Sequence, residues 1–276
     1  MSTLIIHHNS LTFEQTKKVE RAYRKPEKVN NHCRVQLDET PSAEEIKQLA
    51  DEIQVDINLL PEGFEASQVK LLISDMDSTL ISIECVDEIA DYVNLKPQVS
   101  AITEAAMRGE LNFEESLNER VALLKGLDTS ALQYVYNDRL TLNPGAEKLI
   151  SKMRDKDVKF ALVSGGFTFF TDQLKKQLKL DYTRANVLEE ADGELTGRVV
   201  GKIIGAEAKA EFLYELCEEL NIKPSQVIAV GDGANDLKMM KQAGLSIAYH
   251  AKPTVQAEAM TSLNYSGLDA ILDFVD

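Results

Sequence analysis

Four short runs rich in β-branched and aliphatic residues constrain this chain most: VKLLIS (69–74), VKFALVS (158–164), VIAVGD (227–232) and LSIAYH (245–250). Near-continuous apolar runs of this length are strands buried on both faces, which is the pattern of a parallel sheet. Helical spacing fills the stretches around the later three: PGAEKLISKMRDKD (144–157), FTFFTDQLKKQLKL (167–180) and AKAEFLYELCEELN (208–221). Strands alternating with helices predict an α/β unit with a Rossmann-like parallel sheet and crossover helices. Pro144 suits a first helical position. TRANVLEEADGELTGRVVG (183–201) departs from the pattern, because Asp192-Gly193 between two β-prone runs predicts a hairpin.

The first run and the helix near Pro144 are separated by about residues 84–140, which read as helix after helix. CVDEIADYV, QVSAITEAAMRG, NFEESLNERVALLKG and SALQYVYNDR are the segments. Asn112 and Glu115 form a capping box for the third, and Gly126 supplies a stop. An insertion this long is functional as a rule, here a helical cap over the sheet's edge.

Residues 1–66 read as a separate small α+β module: strands in TLIIHH, CRVQL and VDINLL, helices in TFEQTKKVERAYRK and SAEEIKQLADEIQ. PEGFEASQ (61–68) is the linker, and residues 67–276 form the larger unit. His7, His8 and His32 have no cysteine or carboxylate near them in sequence and are not expected to hold a metal.

In open parallel sheets, ligands bind beyond the carboxyl ends of the strands. Asp75, Asp77, Ser78 and Thr79 follow the first strand; Ser164, Gly165 and Gly166 follow the second; Gly231, Asp232, Gly233, Asn235 and Asp236 follow the third. Four aspartates on one rim repel each other unless a cation sits among them. Oxygen donors without histidine or cysteine point to a hard cation, Mg²⁺. Mg²⁺ beside a Ser-Gly-Gly anion cradle points to phosphate chemistry.

The net charge of −15 disfavours nucleic acid as a partner and requires an anionic substrate to find its positive charge inside the pocket. Three widely spaced cysteines, Cys33, Cys85 and Cys217, fit a reducing compartment. Cys85 and Cys217 lie on apolar helical stripes and read as core. The N-terminal stretch has neither a basic leader nor a long apolar run, so a cytoplasmic protein without a membrane span is expected.

The four motifs together resemble the haloacid dehalogenase superfamily of phosphotransferases, from about Val69 to the C-terminus. DMDST is similar to its first motif, Ser164 in LVSGG to its second, Lys209 in GAEAKAEFL to its third, and GDGANDLKM to its fourth. SIECVDEIA and MRGELNFEESLNERVALLKG further resemble the branch that hydrolyses O-phospho-L-serine, the last step of serine synthesis. The resemblance implies Asp75 as nucleophile and Asp77 as acid and then base. It implies an Mg²⁺ shell of Asp75, the backbone carbonyl of Asp77 and Asp232, with Asp236 on a metal water or orienting Lys209. Ser164, helped by the amides of Gly165 and Gly166 at a helix start, would hold the phosphoryl group with Asn235 and Lys209. Lys202 is the rival to Lys209. In the cap, the resemblance places Glu84 on the substrate ammonium, Arg120 on its carboxylate, and Met107 and Phe113 as an apolar wall.

The residues themselves leave blander readings open: Glu84 as a helix start, Arg120 paired with Glu115 or Glu119, and GDGAND as a turn. A receiver domain with a phosphorylatable aspartate would lack the helical insertion and the need for Asp77. A relative acting on phosphohomoserine or a sugar phosphate is the other alternative; an amino-acid substrate needs both Glu84 and Arg120, a sugar phosphate neither. The role of residues 1–66, regulatory or homodimerising in other members, is left open.

Overall fold

The computed structural model describes residues 2–276, the side chain of Met107 excepted. In the N-terminal part, β1 (Ser2–Ile6), β2 (Glu27–Val29), β3 (His32–Leu37) and β4 (Ile57–Leu59) form an antiparallel sheet ordered β2-β3-β1-β4. Helices α1 (Phe13–Ala22) and α2 (Ala43–Ile53) each begin with a capping box, Thr12 with Gln15 and Ser42 with Glu45. The alternation along β1 decides what each sheet face touches. Leu4 and Ile6 join a core with Val19, Ile46, Leu49 and Ile53, while Ile5 points the other way into the core of the larger unit. The strand β2 was not legible in advance; it is three residues, Glu-Lys-Val, on an exposed edge.

The larger sheet contains β5 (Leu71–Ser74), β6 (Lys159–Phe167), β7 (Tyr182–Ala191), β8 (Glu194–Val200), β9 (Val227–Gly231), β10 (Leu245–Tyr249) and β11 (Thr261–Leu263). Its order is β11-β10-β9-β5-β6-β7-β8, parallel throughout except that β7 and β8 form the expected antiparallel hairpin. At the hairpin turn Asp192 and Gly193 take φ of 53° and 86°, the left-handed pair that a tight turn requires. The strands are apolar on both faces because both are covered. Leu72, Phe160, Leu162, Ile228 and Val230 face one core; Leu71, Ile73, Ala161, Val163 and Ala229 face the other.

Helix α3 (Cys85–Tyr92), α4 (Lys96–Met107), α5 (Phe113–Ala122) and α6 (Ser130–Asp138) make up the insertion. It is stitched to the hairpin by bonds from Gly126 N to Leu195 O (2.8 Å) and from Leu195 N to Leu127 O (2.8 Å). Helices α7 (Ala146–Asp155), α8 (Thr168–Leu178), α9 (Ala206–Leu220), α10 (Leu237–Met240) and α11 (Pro253–Glu258) complete the layers, with a tight helical turn at Leu268–Phe274. Two local expectations are corrected. Helix α7 starts at Ala146, not at Pro144, because Gly145 turns the chain at φ 82° and a Cβ there would lie 2.3 Å from Asp269 Oδ1. The Ser164-Gly165-Gly166 segment is not a helix start: β6 runs on through Phe167 before α8 begins.

Strand β5 lies between β9 and β6. The chain leaves it through the cap toward β6 and returns later to β9 on its other side. This is the topological switch point at which doubly wound sheets open a crevice.

Candidate active site

Asp75 is the first residue past β5, and its N–H still bonds Val230 O of β9 (3.0 Å). The chain then turns tightly through Met76–Leu80, with Ser78 at φ 56°. This turn would leave carbonyls unpaired, and Asn143 gathers them: its Nδ2 lies 2.8 Å from Thr79 O and 3.2 Å from Ile81 O. The result holds Asp75 buried at the switch point, with Asp77 half-buried beside it.

Beneath the cavity lies a fully buried ammonium. Lys209, on α9, donates to Asp75 Oδ1 (2.5 Å) and to Asp236 Oδ1 (2.7 Å). Asp236 Oδ2 accepts from Gly233 N (3.1 Å). Gly231 leaves the room for this, since a Cβ there would lie 2.4 Å from Asp236 Cγ. Lys202 does not compete: it is exposed and pairs with Glu211 (2.5 Å). Burial pulls the Lys209 ammonium down, but Asp236 and Asp75 outweigh burial and raise its pKa, so it stays charged.

One ammonium does not neutralise this group. The carboxylates of Asp75, Asp232 and Asp236 offer oxygens that all lie within 4.8 Å of one another. Burial and the charge of Asp236 push Asp75 well up despite Lys209. Burial and Asp236 push Asp232 up to about 6, with the Thr79 hydroxyl (3.3 Å) opposing. Converging carboxylates with raised proton affinity are the donor set of a hard divalent cation, and the residues fit one. The Asp77 carboxylate is turned elsewhere: Oδ1 accepts from Cys85 N (2.8 Å) and Oδ2 from Ser164 Oγ (3.0 Å). The Asp77 carboxylate is not among the oxygens that converge.

Ser164 is fully buried; its Oγ accepts from Gly166 N (2.7 Å) while donating to Asp77. A Cβ on Gly166 would sit 2.8 Å from Asp77 Oδ2, so the close approach requires glycine. Asn186 fixes Gly165 by donating to its carbonyl (2.8 Å) while accepting from Ile204 N (2.8 Å).

A cavity of about 790 Å³ opens above these groups, walled by Asp75, Asp77, Gly165, Asp232 and Asn235 from the sheet side and by Glu84, Phe113 and Arg120 from the cap. Phe113 reaches across the gap: a Cβ on Gly165 would lie 2.8 Å from its Cζ, and one on Gly205 3.2 Å from its Cδ1. Glu84 accepts from Ser78 Oγ (2.7 Å); desolvation and the charge of Asp77 raise its pKa to about 7. Glu84 is exposed where it lines the cavity. Arg120 is half-buried and bonds only Ser116 O (3.3 Å), with no carboxylate within 4 Å among the described residues. Glu115 is occupied by its capping box, so the surface pairing considered for Arg120 is not formed with it. Desolvation lowers the Arg120 pKa while Asp87 and Glu84 oppose. Met107, expected on this wall, lies outside the described side chains.

Lys252, Asn143 and Asn186 were not found from the sequence. Lys252 lines the cavity from the start of α11. The two asparagines act through backbone groups 62 and more residues away in one case and 18 and 21 in the other, and no motif announces such pairings.

Residues 69–244 match the family model for haloacid dehalogenase-like hydrolases. A phosphoserine phosphatase of Polaromonas sp. (strain JS666) is 54% identical over 224 residues, covering 79% of this chain and 95% of its own. The unliganded crystal structure of a probable phosphoserine phosphatase from Vibrio cholerae superposes with a TM-score of 0.86 at 35% identity, over 99% of this chain and 86% of that one. A phospho-aspartyl intermediate analogue of phosphoserine phosphatase covers 75% of this chain and 99% of its own at 40% identity and a TM-score of 0.71.

Two outcomes follow from the buried charge. Lys209→Met leaves Asp75 and Asp236 buried without a cation, and urea denaturation at pH 7.5 will show a loss of about 3–5 kcal/mol. Because protonating the stranded carboxylates relieves the repulsion, that loss shrinks at pH 5. The second outcome concerns the metal. Asp232 titrates near 6 in the metal-free protein, and a bound divalent ion needs it ionised. Calorimetric Mg²⁺ affinity will therefore rise from pH 5 to pH 7 with proton release, and a flat profile would exclude Asp232 from the site. In stability the sign is opposite: the raised pKa of Asp232 favours the metal-free fold below pH 4, and this contribution is lost as pH rises through 6.

Proposed function

This chain belongs to the haloacid dehalogenase-like hydrolases, and on that footing we propose that it hydrolyses O-phospho-L-serine to L-serine and phosphate through an aspartyl phosphate on Asp75, with Mg²⁺ as cofactor. The observation that carries the substrate is the pair Glu84 and Arg120 on the cap, facing the carboxylate cluster across the cavity. An amino-acid phosphate has an ammonium and a carboxylate to place, and these are groups of the opposite charge. The names borne by the relatives above support the same substrate.

Lys209 occupies Asp75 Oδ1, which leaves Oδ2 to attack phosphorus. As the P–O bond to serine breaks, Asp77 delivers its proton to the leaving oxygen. In the second half Asp77 removes a proton from water, the water oxygen attacks the acyl phosphate, and Asp75 is regenerated as phosphate departs. Ser164 and the amide of Gly165 orient the phosphoryl oxygens, with Asn235 at the edge and the Lys209 charge below. Asp75, Asp232 and the backbone carbonyl of Asp77 would hold the Mg²⁺, with Asp236 completing the cluster; when bound, the ion neutralises charge on the phosphoryl oxygens. Phe113 closes the cap over Gly165 and keeps water out until the serine has left.

Residues 67–276 form the catalytic unit in this reading, with the cap at about 84–140, and residues 1–66 are a separate module. No helix among the described residues is long and apolar enough to cross a membrane. All three cysteines are buried free thiols, which supports a cytoplasmic setting.

Arg120→Ala will lower kcat/KM for phosphoserine about 10- to 100-fold, the cost of one charged hydrogen-bonding group, while para-nitrophenyl phosphate turnover changes little. Equal losses on both substrates would remove the amino-acid assignment. Asp75→Asn, checked by mass spectrometry for deamidation, will lose at least about 10³-fold in kcat, and radiolabelled phosphate will no longer be trapped on the protein.

A further inference from the structure

The N-terminal module grips one loop of the larger unit, and that loop is hydrogen-bonded to the segment that carries Lys252 into the active-site wall. Asp56 precedes β4 and is 2% exposed. Its carboxylate accepts three successive backbone N–H groups of the larger unit: Asn264 (2.6 Å), Tyr265 (3.0 Å) and Ser266 (2.7 Å). Asp51 on α2 accepts from the Tyr265 hydroxyl (2.9 Å).

Two arms lead from this loop to the next one. His250 Nε2 bonds Ser266 O (3.1 Å), and Asn264 Nδ2 bonds Gln256 Oε1 (3.4 Å), whose Nε2 holds Ala251 O (2.7 Å). His250 itself is bent to φ 43°, in the left-handed region that histidine, like asparagine and aspartate, enters more readily than other non-glycine residues. Lys252 follows two residues on, its N–H directed at Asp232 O (3.4 Å).

Lys252 is where charge is needed. Six carboxylates line the cavity against two cations, Arg120 and Lys252. Glu207 is already paired with Lys238. Lys252 has no carboxylate within 4 Å among the described residues and is exposed toward solvent. A phosphate ester carrying two negative charges meets a repulsive mouth there, and a free ammonium on the metal side offsets it.

We propose that the N-terminal module acts as a brace for the active-site wall: Asp56 and His250 are positioning residues that hold Lys252 at the cavity mouth, where its ammonium draws in the phosphate ester. The proposal rests on the phosphate-ester reading of the cavity given above.

A double-mutant cycle decides it, with full-length protein at saturating Mg²⁺ and phosphoserine as substrate. Lys252→Met raises KM about tenfold, with kcat nearly unchanged, and weakens the salt dependence of kcat/KM; Lys252→Arg restores the parent KM. Asp56→Asn replaces one of the two accepting oxygens by an N–H₂ group, which sets it against the N–H of Asn264 or those of Tyr265 and Ser266, and raises KM about fivefold. His250→Asn tolerates the left-handed backbone, breaks the bond to Ser266 and moves KM in the same direction. In the Lys252→Met background, Asp56→Asn and His250→Asn add nothing further to KM. A general loss of fold would instead lower kcat or active-site titre in both backgrounds alike. The proposal is overturned if Asp56→Asn multiplies with Lys252→Met, if either single variant leaves KM unchanged, or if the losses fall on kcat. Should the parent protein ignore phosphoserine but cleave para-nitrophenyl phosphate, the substrate assignment falls, and the same cycle on that ester still decides the brace.

Discussion

The ammonium of Lys209 between Asp75 and Asp236 is the interaction on which the site depends. All three groups are buried, and burying any one of them alone costs several kcal/mol. The fold tolerates them because they arrive together, from the ends of β5, α9 and the loop after β9. Each element is in turn fixed by a buried apolar face. The arrangement also creates a requirement. With Asp232 added, the cluster carries more negative charge than one lysine balances, and this is the physical reason that burial and Asp236 drive Asp75 and Asp232 upward. A site so arranged stores affinity for a second cation.

The geometry above the ammonium is set by small residues and by asparagines. Gly166 lets Asp77 approach Ser164, Gly231 admits Asp236, and Gly165 with Gly205 receives Phe113 from the cap. In each case a methyl group would meet a functional side chain at 2.4–3.2 Å. Asn143 and Asn186 hold the turn after β5 and the end of β6 through backbone carbonyls. Such side chains bring an N–H donor to places where the turn leaves a carbonyl without a partner, so loops that must be irregular for chemistry are not mobile on that account.

The larger sheet and the carboxylate cluster were legible because they depend on local pattern. VIAVGD and VKLLIS are unbroken apolar runs, and a run of that kind is buried on both faces whatever surrounds it. Asp75, Asp232 and Asp236 follow from one rule about strand ends. What escaped depends on pairing at long range. The strand β11 is three residues, Thr-Ser-Leu, and becomes a strand only because β10 lies beside it. Gly145 turns the chain so that Pro144 falls outside α7, and the reason is Asp269, over a hundred residues later. Lys252 stands in AKPT, which reads as an ordinary helix start; only the folded sheet places it by Asp232. His7 and His32 have no carboxylate near them in sequence, yet they are buried beside one, because their partner Asp273 is near the other end of the chain.

Those histidines explain why the module sits in one orientation. Asn58 Oδ1 accepts from Ser262 N (2.8 Å), so its Nδ2 faces both Ser262 O (2.8 Å) and His7 Nε2 (3.1 Å). His7 Nε2 is then an acceptor, and the proton is on Nδ1, which donates to Asp273 Oδ2 (2.9 Å). By the same logic Arg34 Nε donates to His32 Nε2 (2.8 Å), and His32 Nδ1–H lies 3.3 Å from Asp273 Oδ1. His7 is hydrogen-bonded through both ring nitrogens and His32 through Nε2, while His32 Nδ1 lies near Asp273 without completing a hydrogen bond. An apolar seam could slide by an ångström at little cost. This one cannot, because a shift strands buried donors and acceptors at about 1–3 kcal/mol each. The polar composition of the seam therefore trades some of the affinity of an apolar contact for a fixed register, and register is what a loop two bonds from the active site requires.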